Sequence, residues 1–83
     1  MLVVPITPFG DIKWDETFEV ESLEIWANGL NKRIEKNGGK NRYWIVSPKI
    51  VEYSDASGKL ITKYIACERN PENGAFRLLA WPR

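Results

Sequence analysis

The fold is decided by residues 22–39, which read SLEIWANGLNKRIEKNGG. Five apolar residues in this stretch recur at helical spacing and form one stripe: Leu23, Trp26, Ala27, Leu30 and Ile34. Ser22 is suited to cap the amino end, and Gly38 and Gly39 are suited to end the helix in left-handed geometry. The sequence therefore predicts one amphipathic helix over residues 22–37, with its stripe packed against a second layer.

Sequence on both sides of this helix favours strands. Short apolar or alternating segments bounded by Pro, Gly, Asn and Asp predict strands at residues 2–6, 42–53, 59–69 and 75–81. Pro48 is expected to mark a bulge or an edge position, because proline cannot donate to a ladder. Residues 12–20 fit two alternatives, since Phe18 and Val20 alternate with acids as in a strand whereas Asp15 is suited to cap an early helix.

These elements define the predicted fold class. It is α+β, a small two-layer sandwich in which one helix packs on an antiparallel sheet of four to five strands, ending in a C-terminal three-strand meander. A chain of 83 residues suits one hydrophobic core. Residues 1–83 are therefore expected to form a single domain.

Composition bounds the class of protein. Hydrophobic residues make up 43% and charged residues 28%, which is typical of globular proteins and argues against disorder. The single cysteine rules out an intramolecular disulfide, and the first residues lack the regions of a signal peptide. We expect a soluble, cytoplasmic protein that does not associate with membranes.

Residues that carry catalysis are scarce. The chain has no histidine, the commonest general acid or base and the commonest metal ligand, and we expect no metal and no cofactor. Cys67 lies inside a predicted strand and is interpreted as a structural residue. Glu19, Glu21 and Glu24 are better explained by the positive amino end of the helix than by acid–base chemistry. We expect no catalytic residues and no enzyme.

Charge is unevenly distributed along the chain. Residues 1–31 hold six acids and one base, a net charge of −5, whereas residues 32–83 hold eleven bases and five acids, a net charge of +6. The highest basic density, with two aromatic residues interleaved, defines a candidate nucleic-acid-binding set: Lys32, Arg33, Lys36, Lys40, Arg42, Tyr43, Trp44 and Lys49. A helix dipole explains basic residues in the last helical turn but not those after it.

A second candidate surface lies on the sheet. If the helix covers the face that carries Tyr64, Phe76 and Leu78, the other face is expected to present apolar, aromatic and basic groups to a protein partner. These residues are Ile61, Lys63, Ile65, Arg77, Leu79 and Trp81. In the alternative arrangement the sheet coils and the N-terminal strands cover that face.

Three functions follow in order of preference. The first is a non-catalytic protein-binding module, such as an adaptor, a small assembly subunit or an inhibitor that occupies a partner surface. Self-association through the same face, or through an edge strand, is a variant of this function. The second is a small nucleic-acid-binding protein that uses the basic set. The third is an enzyme that works through carboxylates.

Overall fold

The computed structural model describes residues 1–80 and has one helix packed against an antiparallel sheet of six strands. The elements in chain order are β1 (Leu2–Ile6), a 3₁₀ turn (Trp14–Glu16), β2 (Phe18–Glu19), α1 (Leu23–Lys36), β3 (Arg42–Ser47), β4 (Ile50–Ser54), β5 (Leu60–Arg69) and β6 (Phe76–Leu78). The strand order is β2-β1-β5-β4-β3, and β6 also pairs with β5. The predicted α+β class is confirmed.

Helix α1 begins and ends where its sequence predicts. The Oγ of Ser22 accepts a hydrogen bond from the Ile25 N–H at 3.1 Å, which satisfies one of the amide groups that a helix leaves free at its start. Gly38 follows the helix with a φ of +74°, a conformation that a side chain disfavours. At Gly39 a Cβ atom would lie 2.7 Å from the Ile34 Cγ2. Both glycines are therefore required by the way the helix ends.

The predicted apolar stripe faces the sheet. Leu23 and Ala27 are buried in a core cluster with Val3, Val51 and Ala66, which come from three neighbouring strands. The contacts of α1 with the sheet fall mainly on β3, the terminal strand. The helix therefore lies over one side of the sheet, along its edge.

The predicted strand over residues 42–53 is in fact a hairpin. Ser47 pairs with Ile50, and Pro48 and Lys49 form the turn between β3 and β4. Proline suits a tight turn because its φ is already set and because it needs no hydrogen-bond acceptor. The register irregularity lies before the turn, between Ile45 and Ser47. The prediction that Pro48 sits within a strand is wrong.

Strands β3, β4 and β5 are consecutive in the chain, and each pairs antiparallel with the next. Strand β6 also pairs antiparallel with β5. The register pairs Leu2 of β1 with Cys67, and Cys67 also pairs with Leu78 of β6. A residue in a sheet can pair with one strand on each side, and β1 occupies one side of Cys67. Strand β6 therefore lies on the other side of β5, which is also the side where β4 pairs farther along the strand. The sheet therefore has six strands, where four to five were predicted.

Residues 12–20 contain the short strand that one alternative predicts, and in place of an early helix capped by Asp15 they form a 3₁₀ turn with Lys13 at the cap position. Trp14–Glu16 form one 3₁₀ turn, and Phe18 and Glu19 then pair with Val3 and Leu2 of β1. Before the 3₁₀ turn, a single bridge joins Ile12 to Ile6. This segment therefore closes the outer edge of β1.

The expected assignment of sheet faces for the last strand is wrong. Leu78 pairs with Cys67 and so shares its face, whereas the Leu79 N–H donates to the Ala66 carbonyl oxygen at 2.8 Å and Leu79 packs against the core under the helix. Phe76 and Leu78 were expected beneath the helix with Tyr64. A shift of one residue in register reverses every side chain of a strand, which is how this error arises.

The face opposite the helix is also packed. Val4 and Ile65 on that face are completely buried. The Trp14 ring from the 3₁₀ turn stacks on the Phe76 ring, with 5.8 Å between centroids. Phe76 pairs with Arg69, which by alternation shares the face of Ile65, so this aromatic pair covers part of that face.

Candidate interaction surfaces

The residues predicted to form a protein-binding face are not brought together. Ile65 has 0% of its surface exposed, and Leu79 lies on the helix side of the sheet. Lys63 forms an ion pair with Glu52 at 3.5 Å. Arg77 is exposed and pairs with Glu68.

Two residues of that predicted set remain. Ile61 is half-buried in β5. Trp81 lies outside the described residues. No continuous surface is formed by the described members of the set.

The predicted nucleic-acid-binding set is divided between the two ends of α1. Five exposed bases lie around its C-terminal end and the start of β3: Lys32, Arg33, Lys36, Lys40 and Arg42. Lys49 lies in the β3–β4 turn, and that end of β3 meets the first turn of the helix. The structure therefore brings together five of the six bases.

Of the two aromatic residues in that set, only Trp44 is exposed. Tyr43 packs among rings, with centroid distances of 5.2 Å to Trp26, 4.5 Å to Tyr53 and 5.9 Å to Tyr64. Burial, together with its tyrosine neighbours, raises the pKa of Tyr43 to about 12. Tyr43 therefore stays neutral at physiological pH and belongs to the packing between helix and sheet.

Asn31 joins α1 to the edge of the sheet. Its Nδ2 donates to the Tyr43 carbonyl oxygen at 2.9 Å, and the Tyr43 N–H donates to its Oδ1 at 2.8 Å. One carboxamide thus satisfies both backbone groups of a residue on the terminal strand, as a neighbouring strand would. The sequence offers no signal for this contact, because an asparagine within a helix is usually solvated.

A groove opens at the C-terminal end of α1, and we call it the end groove. It has a volume of about 440 Å³ and lies between the helix, the loop that follows it and the β3–β4 hairpin. Its lining residues are Leu30, Arg33, Ile34, Asn37, Gly39, Lys40, Asn41, Tyr43 and Tyr53. The Asn41 Nδ2 donates to the Tyr53 hydroxyl at 2.7 Å and fixes that wall.

Three consecutive apolar residues are exposed on β3, and we call them the edge strip. Trp44, Ile45 and Val46 expose 47%, 43% and 52% of their surfaces. Ile45 and Val46 border a cleft of about 520 Å³ at the N-terminal end of α1. In the sequence, Trp44 is notable only as a member of the basic set, and the run Trp44-Ile45-Val46 fits the interior of a strand.

The residues considered for catalysis differ in exposure. Cys67 exposes 2% of its surface, and burial raises the pKa of its thiol, which disfavours the nucleophilic thiolate. Glu19, Glu21 and Glu24 are exposed. Within residues 1–80, no group of three or more His, Cys, Asp or Glu side chains is placed to hold a metal ion.

Comparison with known proteins gives no match: no family model fits the sequence, and no curated protein or solved structure is significantly similar to it. Within the described part of the chain, no helix is both long and apolar enough to cross a membrane.

Proposed function

We propose that this protein is a non-catalytic, cytoplasmic protein-binding module, and that it contacts its partner through the edge strip. The observation that supports the proposal is the run of three exposed apolar residues on a terminal strand. Proteins usually protect such strands with charges, prolines or covering segments, because unpaired backbone groups and apolar side chains promote association. Between Trp44 and Val46 the edge carries neither a charge nor a proline, which suits a surface that is covered by a partner.

The backbone of β3 suits strand addition over a short length. Because the N–H and C=O groups of Tyr43 bind Asn31, they point away from β4. In an antiparallel ladder the orientation alternates, so the groups of Ile45 point to the same outer side. A partner segment that pairs at Ile45 would gain backbone hydrogen bonds from this strand and apolar contacts from its side chains.

This proposal moves the contact away from the β5–β6 face. The buried position of Ile65 and the location of Leu79 under the helix leave no continuous apolar surface there. Like the β5–β6 face that was predicted to bind a partner, the edge strip combines aromatic and aliphatic residues that can serve as anchors.

The test compares two lysine substitutions. Ile45→Lys places a charge on the edge strip, whereas Ile25→Lys places the same charge on another exposed isoleucine, on the solvent side of α1. Tagged wild-type protein and both variants are used for affinity capture from native lysate with nuclease and about 200 mM salt, a level that weakens phosphate contacts. Thermal unfolding verifies that both variants fold.

We expect a stoichiometric protein to be captured by wild type and by Ile25→Lys and to be lost with Ile45→Lys. If a second copy of this chain is the partner, light scattering will show a dimer that Ile45→Lys dissociates. Capture of the same protein by both variants contradicts the use of the edge strip.

Nucleic-acid binding remains the second candidate because five exposed bases cluster at one end of α1 and none forms an ion pair within residues 1–80. Binding of this kind should weaken steeply with salt, most of all after charge reversal of Lys40 or Arg42. The inward position of Tyr43 counts against base stacking on that residue. Binding to an oligonucleotide that does not change with salt would exclude this candidate.

A further inference from the structure

We propose that the end groove binds an acidic segment of a protein, in which carboxylate side chains alternate with apolar ones. This site lies at the opposite end of α1 from the cleft beside the edge strip, and it does not depend on the function proposed for that strip. Its ligand class follows from the charge, the floor and the size of the groove.

The end groove carries a positive charge that its own lining residues do not neutralise. Arg33 lines one side and Lys40 lies in the loop after the helix, and neither forms an ion pair within residues 1–80. Among residues 1–80, no acidic residue lines the groove, while the amides of Asn37 and Asn41 also lie at its wall. Two cations with nearby amide groups form a surface that complements carboxylates.

The helix dipole explains only part of this charge. Arg33 stands in the last turn of α1, where a cation offsets the negative end of the helix. Lys40 follows the end of the helix, and the effect of the dipole falls off within the last turn. The dipole therefore leaves Lys40 unexplained.

The floor of the groove favours a ligand with apolar side chains. Leu30 and Ile34 are half-buried, and beside them the Tyr43 and Tyr53 rings stack with an interplanar angle of 29°. A bare anion would leave this apolar surface in contact with water. An alternating acidic and apolar segment would cover it and place its carboxylates near the two cations.

The same rings disfavour a nucleic acid. Tyr43 is stacked on Tyr53 and also meets Trp26 edge to face, while the Tyr53 hydroxyl accepts from Asn41. Stacking of unpaired bases needs aromatic faces that are free. The groove volume of about 440 Å³ lies in the range of ordinary ligand sites, which suits a few side chains of an extended peptide.

The test is a titration of ¹⁵N-labelled protein with two acetylated hexapeptides, one of alternating Glu and Leu and one of alternating Gln and Leu. We expect the Glu peptide to shift the backbone amides of Asn37, Gly39 and Asn41 in a saturable way. The Gln peptide should bind roughly tenfold more weakly, as expected for the loss of two exposed ion pairs. A Glu peptide that leaves these amides unchanged, or equal affinities for the two peptides, overturns the proposal.

Variants locate the charges. Arg33→Gln and Lys40→Gln should each weaken the Glu peptide severalfold, and Lys32→Gln, an equal change in charge on a residue that does not line the groove, should leave it unchanged. Equal weakening by all three variants means a diffuse charge effect and overturns the site.

Two further probes separate the ligand classes. Inorganic phosphate and a single-stranded thymidine hexanucleotide are titrated at the same ionic strength. Tighter binding of either one at the same amides overturns the peptide assignment. The Ile45→Lys variant should bind the Glu peptide like wild type, so failure at the edge strip and failure at the groove give different results.

Discussion

The two ends of α1 contact the same terminal strand, β3, through different chemistry. At its N-terminal end, Leu23 is buried in the core and the first turn borders the apolar cleft beside Ile45 and Val46. Toward its C-terminal end, Asn31 holds the backbone of Tyr43 with two hydrogen bonds, and the surface beyond is the end groove. How each end is anchored determines what kind of surface it leaves.

The difference is one of directionality. Apolar packing is non-directional and tolerates small shifts, whereas the paired hydrogen bonds of Asn31 require one position of the helix along β3. The position set by Asn31 also holds Ile34 and Arg33 beside the hairpin and so maintains the groove. The N-terminal end of α1 therefore supplies hydrophobic stabilisation, and the part toward its C-terminal end fixes the position of the helix along β3.

The largest expected effect removes an aromatic ring from the packing between helix and sheet. Trp26 lies in the first turn of α1 and meets Phe18, Tyr43 and Tyr64 at centroid distances of 5.4, 5.2 and 4.9 Å. Trp26→Ala should lower the free energy of unfolding by about 3 kcal/mol, the low end for such truncations because the ring is half-buried. Urea unfolding followed by circular dichroism measures the loss. Trp26→Phe should lose clearly less, and equal losses would mean that ring packing is not the cause.

The next effect separates the ends. Asn31→Ala leaves the N–H and C=O groups of Tyr43 without their partners and should cost about 2 kcal/mol, as for other partly buried polar groups left unpaired. Asn28→Ala is the matched control, since Asn28 is exposed on the same helix. Hydrogen exchange should show faster exchange of the Tyr43 amide in Asn31→Ala alone. Similar stability of the two variants would refute the proposed role of Asn31.

A smaller effect acts at the N-terminal end alone. Ser22→Ala removes the acceptor for the Ile25 N–H and should cost about 1 kcal/mol. Ser22→Asp keeps an acceptor at the positive end of the helix and should retain most of the stability. Thermal unfolding compares the two variants, and the amide shifts of the end groove should not change in either. Groove shifts as large as those near residue 22 would show that the two ends are coupled.

The smallest effect is a gain in the middle of α1. Apart from its own helix backbone and chain neighbours, a Cβ atom at Gly29 would meet no atom within 4 Å. Gly29→Ala should therefore stabilise the protein by about 0.5–1 kcal/mol through helix propensity. Gly39→Ala is the same substitution with the opposite expected sign, because its Cβ would crowd the Ile34 side chain. Nothing in the structure explains why residue 29 is glycine. Chemical unfolding measures both variants, and a loss at Gly29 would contradict the helix geometry.

For the candidate surfaces, the sequence predicted which residues are exposed more successfully than it predicted which of them lie together. The basic run predicted exposed cations, and five of them do lie together, with Arg33 and Lys40 at the groove. The predicted sheet face failed because Ile65 is buried and because a segment distant in sequence covers part of the face, where Trp14 of the 3₁₀ turn stacks on Phe76. Exposure of Ile45 likewise depends on β3 being the terminal strand, which no local pattern reveals.

By itself, the sequence determined the α+β class, the span of α1 with its cap at Ser22, and the separation of acidic from basic residues. These properties depend on neighbours within a few positions, since helical periodicity and capping act over one or two turns. Only the tertiary structure decided the hairpin at Pro48, the pairing of Leu78 with Cys67, and the contact between Asn31 and Tyr43. Each of these redirects a strand or joins it to another element. Because strand side chains alternate, a difference of one residue in register exchanges buried and exposed groups.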